Sequence, residues 1–499
     1  MHQWTDQQET IFSTIEEHTT QPTDSIITID SVAGSSKSSS MVEAVKRIYQ
    51  ANPSISVRYL VFGTLAAQEA RTEFGTTAIV STLHSLAFLY EVTNSNPKRY
   101  LPNKRSYISW QDIPKYVKRP FGIDFQAIQL VDAYCSSEFT DLALYILDQQ
   151  DNLGIRFSTS VIKLTKTLLD LMYLGKMPCT HAFYLKIFHI NLVNGLIQLP
   201  YTDILAVDEA QDLTAITTAI IDHFPAKLKI LVGDEKQAIF KWMGCVSAFD
   251  LYPNATKLKL TKSFRVNALD AKRVQYFMRH YVDSSFEFTG NSTLPPMPSD
   301  PTVSYLTRTN GALISKMVEL DNANIPYHLA TKGKIDQMFK LPLDIAHTKP
   351  GPELPHNNPL YDIQHSVNEW AYSQHLQKEY ANKYSYLLYV NRDNPEVYNA
   401  IQLLLNHSYD TLKETADNAK AHTKSTAKLR LMTVHTSKGT TSDIVELADD
   451  VDESIRKLVA ILDAVPNHPL KPEELESLYV YYVAITRHKY ELRNANLLL

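Results

Sequence analysis

Between residues 26 and 39 the β-branched run Ile26-Ile27-Thr28-Ile29 passes through Val32-Ala33-Gly34-Ser35-Ser36 into Lys37-Ser38-Ser39. A small-residue loop between a strand and a helix turns backbone amides toward an anion. A lysine just after it meets the outer phosphates, and the next serine hydroxyl can ligate Mg²⁺. Gly34, Ser35, Ser36, Lys37, Ser38 and Ser39 are therefore candidate phosphate-binding residues, with Ser38 also a metal ligand. Ser36 stands where the pattern carries glycine. If that position requires a positive φ, a non-glycine residue costs ~1–2 kcal/mol, and its side chain crowds the phosphates.

A second chemical cluster lies downstream. The apolar run Ile204-Leu205-Ala206-Val207 ends in Asp208-Glu209-Ala210-Gln211-Asp212. Acids at the tip of a buried strand are the natural partner of a phosphate loop: Asp208 would hold Mg²⁺ and Glu209 would polarise an attacking water. Another buried run, Ile230-Leu231-Val232, ends in Gly233-Asp234.

The elements needed to position these groups are legible around them. Strands are expected at 25–30, 56–62 and 78–82, separated by helices near 40–50 and 65–72, which argues for a parallel sheet covered by helices. Ligands in such sheets sit at the carboxyl ends of the strands, where the phosphate loop falls. A helix is expected at 160–174, with Val161, Leu164, Leu168, Leu171 and Met172 on one face and Gly175 as its stop. The α/β pattern resumes near 180 and again near 260, with strands at 303–306 and 429–434 and a helix at 473–487. Residues 335–380, rich in Pro, His and Asn, read as irregular, and the pattern recovers at 386–390.

Bulk properties narrow the class. A chain of 499 residues exceeds one core and suggests two to four domains of ~100–200 residues. With 44% hydrophobic and 21% charged residues the composition is that of a soluble globular protein. Net charge is −5, so nucleic-acid binding would rest on local basic patches. Cys135, Cys179 and Cys245 are far apart in sequence, giving neither a zinc pattern nor a disulfide framework, as expected in a reducing cytosol. The polar N-terminus and the absence of any apolar run of ~18 residues predict no secretion signal and no membrane span. One local basic patch stands out. Lys98, Arg99, Lys104, Arg105, Lys115, Lys118 and Arg119 face only Asp112, with Tyr100, Tyr107, Trp110, Tyr116 and Phe121 among them. Basic groups neutralise phosphates and aromatic faces stack on bases, so the stretch suits a nucleic-acid surface; a solvated loop with its aromatics packed inward is the equal alternative.

These segments, with others in the same order, resemble the motifs of superfamily 1 helicases of the UvrD/Rep type. Asp208–Asp212 resembles motif II, and Val232-Gly233-Asp234-Glu235-Lys236-Gln237-Ala238-Ile239-Phe240 resembles motif III. Thr5-Asp6-Gln7-Gln8 is similar to the adenine-reading Q motif. Phe62-Gly63-Thr64-Leu65-Ala66-Ala67 and Thr82-Leu83-His84-Ser85 are similar to motifs Ia and Ib. Leu260-Thr261-Lys262-Ser263-Phe264-Arg265 resembles motif IV, and Leu306-Thr307-Arg308-Thr309-Asn310 the segment after it. Thr433-Val434-His435-Thr436-Ser437-Lys438-Gly439 resembles motif V, and Tyr482-Val483-Ala484-Ile485-Thr486-Arg487 motif VI. Thr180-His181-Ala182-Phe183-Tyr184-Leu185-Lys186 and Ala448-Asp449-Asp450 lean toward the F-box DNA helicase branch and related phage enzymes.

The resemblance implies an α/β protein with two RecA-like domains holding ATP and Mg²⁺ in the cleft between them. Residues 1–90 plus 180–260 would form the ATP-binding domain, with 91–179 a mostly helical, DNA-contacting insertion. Residues 261–334 plus 426–499 would form the second domain, with 335–425 a reduced insertion. Gln8 would read adenine, Phe264 would stack on it, and Gly439 would join the nucleotide site. Lys37, Glu209, Gln237, Arg265 and Arg487 would be catalytic, with Ser38 and Asp208 on the metal. Phe62, Thr82, His84, Trp242 and His435 would contact DNA. The implied activity is ATP-dependent 3′–5′ translocation and unwinding by a cytoplasmic or nuclear monomer on single strands and duplex junctions, with replication or repair proteins as candidate partners. Departures from the pattern are Ser36, Ser39, Met243 and Thr440-Thr441-Ser442, the last removing a carboxylate expected at the ribose. They frame an alternative, a catalytically weakened scaffold that binds nucleic acid and nucleotide.

Overall fold

The computed structural model describes residues 3–498 except 22–23, 94–107, 109–112, 114, 118–122, 240–247, 331–334, 355–357, 359, 393 and 466–467. The chain divides into two compact units, Met1–Lys262 and Ser263–Leu499.

Unit 1 is built on six strands: β1 (Ser25–Ser31), β2 (Val57–Leu60), β3 (Ile79–Ser81), β4 (Thr202–Val207), β5 (Ala226–Gly233) and β6 (Thr256–Leu260). They lie in the order β3-β2-β4-β5-β1-β6, and every pairing is parallel. The central strands carry apolar residues on both faces because both faces are covered. In β4, Ile204 and Ala206 join one core while Leu205 and Val207 join another. The first core is closed by helices α1 (Asp6–Thr20), α2 (Lys37–Ala51) and α3 (Thr64–Phe74), through Ile11, Phe12, Ile15, Met41, Val45 and Phe74. The second is closed by α5 (Asp124–Ser136), α7 (Thr159–Tyr173), α8 (His181–Val193) and α9 (Ala215–Asp222), with α4 (Leu83–Phe88) and α6 (Leu142–Leu153) beside them. The helices that follow β3 thus share a core with the sheet. Cys135 and Cys179 lie in it, and burial pushes both thiols up to about 12.

Helix α7 shows the sequence logic directly. Ser158 caps it, its Oγ accepting from Val161 N, and Val161, Leu164, Leu168 and Met172 are buried one turn apart. Gly175 beyond its end takes φ +67°, a conformation natural to glycine.

Unit 2 carries a five-stranded parallel sheet in the order β10-β11-β9-β12-β13: β9 (Val303–Thr307), β10 (His328–Leu329), β11 (Leu429–Thr433), β12 (Ser442–Leu447) and β13 (His488–Arg493). Two further strands, β7 (Lys262–Asn267) and β8 (Thr289–Asn291), pair separately. Helices α10 (Ala268–Tyr281), α11 (Asn310–Asn322), α18 (Asp449–Ala464) and α19 (Pro472–Ile485) accompany the sheet.

The stretch expected to be irregular is helical: α12 (Ile335–His347), α13 (Tyr361–Tyr372) and α14 (Gln374–Glu379). Their apolar residues, among them Ile335, Phe339, Ile345, Ile363 and Val367, fall at helical spacing and enter one core with Leu313, Met317 and Leu431. The Pro, His and Asn between them conceal that period, and Pro342 sits inside α12. The apolar run at 386–390, where the pattern was expected to recover, lies in a helix, α15 (Lys383–Val390). Asn382 caps it by accepting from Ser385 N, and only one edge, Tyr386 and Leu387, is buried. A short apolar run fits either period, and the cap decides it. Helices α16 (Pro395–Asn406) and α17 (Tyr409–His422) complete the segment.

Candidate nucleotide site and its relatives

The carboxyl ends of β1, β4 and β5 bring the predicted phosphate-binding residues and acids together. After β1, Gly34 (φ +73°) and Ser36 (φ +63°, ψ +39°) are both left-handed, so the condition stated for Ser36 is met. That backbone swings the chain abruptly into α2, which begins at Lys37. Ser36 makes no side-chain cap to the helix, so the first amides of α2 are not claimed by a capping hydroxyl. The Ser35 hydroxyl is buried and has no hydrogen-bond partner among the described residues. An orphaned hydroxyl beside helix-terminal amides fits a phosphate oxygen.

Lys37 crosses to the tip of β4, its Nζ 3.4 Å from both carboxylate oxygens of Glu209. Burial disfavours its charge, but Glu209, Asp208 and Asp234 outweigh that and hold its pKa above the usual lysine range. Ser38 Oγ donates to Asp208 Oδ2 at 3.0 Å, and Asp208 Oδ1 accepts from Glu209 N at 2.9 Å. Burial and then the Glu209 charge push the Asp208 carboxyl up, with Lys37 acting against them. Lys37 thus lies among three carboxylates, Glu209, Asp208 and Asp234, and Asp208 with Ser38 could meet a divalent cation. Among the described residues no cluster of three or more His, Cys, Asp or Glu could by itself hold a metal. Mg²⁺ characteristically binds through one or two protein ligands plus phosphate oxygens.

Glu209 itself has φ +53°. A strand ending there would point the side chain along the sheet; the left-handed residue tips it toward Lys37. Gln211 then secures it: Nε2 donates to Glu209 Oε2 at 2.5 Å, and Oε1 accepts from Asp234 N at 3.1 Å. Gln237 Nε2 donates to Asp234 Oδ2 at 2.6 Å, so Glu209, Gln211, Asp234 and Gln237 form one hydrogen-bonded series. Gly233 makes room for it. A Cβ there would lie 2.1 Å from Gln211 Oε1 and 3.0 Å from Ala210 N. Gly233→Ala is expected to expel the Gln211 amide, costing ~1–3 kcal/mol by overpacking and loosening Glu209. Urea denaturation of the variant reads the first effect, and a melting profile equal to the parent's would contradict it.

Gln8 is fully buried, and both ends of its amide are used internally. Oε1 accepts from Thr5 N at 3.0 Å, and Nε2 donates to Ser40 Oγ at 2.9 Å. Ser40 Oγ in turn donates to Ser36 O, so Gln8 braces the loop from behind. Its neighbour Gln7 accepts from Thr261 N.

Of the expected strand-contact residues in unit 1, Phe62 is 49% exposed after β2, and His84 is exposed at the start of α4. Thr82 is buried as the N-cap of α4, accepting from Ser85 N. His84 packs edge-on to His181 and Tyr184 of α8, ring centroids 6.2 Å away. Trp242 lies outside the described residues, as does most of the basic, aromatic stretch at 97–121. Of that stretch, Ile113 is buried and Tyr116 packs against the core, as the inward-packed alternative expected for this aromatic.

In unit 2, Arg265 on β7 donates to Thr441 Oγ1 at 3.1 Å, and Phe264 beside it is half-buried. Arg487 is buried at the end of α19, where its Nε donates to Val483 O. Gly439 (φ +80°) follows the short helical turn that carries His435.

Two residues of unit 1 escaped the sequence reading. Gln211 was visible only as part of an acidic motif, two residues after Glu209. Tyr59, the hydroxyl-bearing residue of β2, donates to Asp208 Oδ2 at 2.8 Å. Burial, and then Asp208, raise its pKa well above the ordinary phenol value, so it stays a donor.

Comparison with known proteins agrees with this geometry. Residues 183–251, which contain β4, β5 and their acidic tips, match the UvrD/REP helicase N-terminal domain. Over 279 residues the chain is 26% identical to F-box DNA helicase protein 1 of Schizosaccharomyces pombe, covering 51% of this chain and 31% of that protein. The match thus spans about a third of the relative's length. With two parallel α/β sheets and motifs in collinear order, the chain is similar to UvrD-like proteins of helicase superfamily 1.

Proposed function

We propose that the chain is an ATP-dependent translocase and helicase acting on single-stranded DNA in the 3′–5′ direction. The observation that carries the reading is the convergence of Lys37, Ser38, Asp208 and Glu209 around the start of α2. Amides of the loop and Lys37 bind the phosphates of ATP, and Ser38 with Asp208 would hold Mg²⁺, which neutralises phosphate charge. Glu209, aimed by its backbone and Gln211, orients the attacking water and takes its proton. Gln237 is the proposed sensor of the outer phosphate, and Arg265 and Arg487 are the proposed cationic groups for the transferred phosphoryl. Phe62, Thr82, His84, Trp242 and His435 are the proposed strand contacts.

The test is ATP turnover with and without single-stranded DNA, followed by unwinding of duplexes tailed at either end. Turnover stimulated by the strand, with unwinding only from 3′ tails, is the expected result. A chain that binds the strand but shows no stimulated turnover would overturn it.

One observation favours the second reading, a weakened scaffold: Ser36 occupies a left-handed position at the phosphate loop. Ser36→Gly removes ~1–2 kcal/mol of backbone strain and adds ~0.5–1 kcal/mol of unfolded-state entropy. Stability is therefore expected to stay within ~1 kcal/mol of the parent, while turnover rises by up to about tenfold as crowding at the phosphates is relieved. Turnover confined to the glycine variant would establish the scaffold reading.

A further inference from the structure

Tyr59 sits in β2 with no exposed surface, its ring 4.6 Å from that of Phe74. Parallel pairing sets it opposite Ala206 of β4, two residues before the strand's acidic tip. From there the hydroxyl reaches along the sheet to Asp208 Oδ2 at 2.8 Å. The same oxygen accepts from Ser38 Oγ at 3.0 Å, and the other carboxylate oxygen is held by Glu209 N. Phenylalanine would fill this core position as well as tyrosine and would spare the desolvation of a hydroxyl. Among the described residues the hydroxyl donates to one acceptor, the carboxylate assigned to the cation, and a hydrogen bond to a charged group is among the stronger kind.

We propose that Tyr59 is a positioning residue for the divalent cation: from behind, its hydroxyl fixes the rotation of the Asp208 carboxylate. The inference rests on the nucleotide-and-Mg²⁺ reading of the site and adds to it a residue outside the motifs that carry the resemblance. With the hydroxyl in place, Asp208 meets the cation in one orientation. Without it, the carboxylate is held on that side by Ser38 alone, which the cation itself recruits.

The test compares Tyr59→Phe with the unaltered chain in binding a fluorescent ADP analogue, first in EDTA and then across a MgCl₂ titration. Mn²⁺ bound in the presence of ADP, read by electron paramagnetic resonance, gives a second measure. Tyr59→Phe is expected to keep its EDTA affinity within about twofold and to need ~3–10-fold more Mg²⁺ or Mn²⁺ for half-effect. A lower melting temperature with unchanged cation dependence would overturn the inference and make Tyr59 a plain tie between β2 and β4. If the variant does not fold, the unaltered chain decides. Mg²⁺ added with ADP should perturb the near-ultraviolet absorbance of a buried tyrosine, and this change should vanish in Asp208→Asn; its absence from the unaltered chain would overturn the inference. Failure of the parent reading looks different: the unaltered chain would then show no cation-dependent nucleotide affinity at all.

Discussion

Lys37→Ala is expected to lower ATP turnover by ~10²–10³-fold or more, the range seen when one preorganised donor to developing charge is removed. The side chain is buried among Glu209, Asp208 and Asp234, so its charge has little water to share and acts at full strength on a phosphate brought to the loop. The same surroundings predict a second effect. Deleting the ammonium removes a positive charge from among three carboxylates, so the nucleotide-free variant should melt earlier than the parent. Added MgCl₂ should recover part of the difference, because a divalent cation replaces the lost positive charge. Steady-state turnover and melting curves with and without MgCl₂ check both. A variant that keeps more than a tenth of parental turnover would remove Lys37 from the reaction.

Glu209→Gln is expected to separate binding from chemistry. The amide keeps the side chain's shape and can still accept from Gln211, so nucleotide affinity should stay within a few-fold of the parent. Turnover should fall by ~10²–10⁴-fold, the usual contribution of a positioned general base. Single-turnover hydrolysis beside binding of a fluorescent ATP analogue makes the comparison. Turnover within threefold of the parent would show that the left-handed turn at Glu209 serves the fold and not the water. Unwinding should be lost in step with turnover, while binding to single-stranded DNA persists.

The loop after β1 and the acids after β4 were legible because each is a local signal: an apolar run ending in residues with distinctive chemistry. Their meeting was legible too, since parallel strands deliver such tips to one edge. What remained hidden depends on register and packing. Tyr59 reaches Asp208 only because β2 pairs with β4 at one particular register, and no local pattern announces that. Gln8 fits the adenine-reading motif by position, yet the folded chain engages its amide with Thr5 and Ser40, which depends on how α1 lies against α2. In unit 2 the misread helices from Ile335 onward have apolar faces only a few residues wide, interrupted by Pro342 and by polar residues that also suit loops. Capping residues such as Asn382 carried the better signal there.

Strand β1 hydrogen-bonds to β5 on one side and β6 on the other, and the bond from Ser31 Oγ to Gly233 O joins residues 202 positions apart. At ~5–20 residues per second, a nascent chain makes β1 roughly 10–40 s before the ribosome supplies either neighbour. Throughout that interval an isoleucine-rich strand has two open edges, and the loop beyond it lacks the tips of β4 and β5. Nucleotide therefore cannot template the early folding of this unit. The site is a product of late closure, and the segment that carries β1 is where a holding chaperone would matter most.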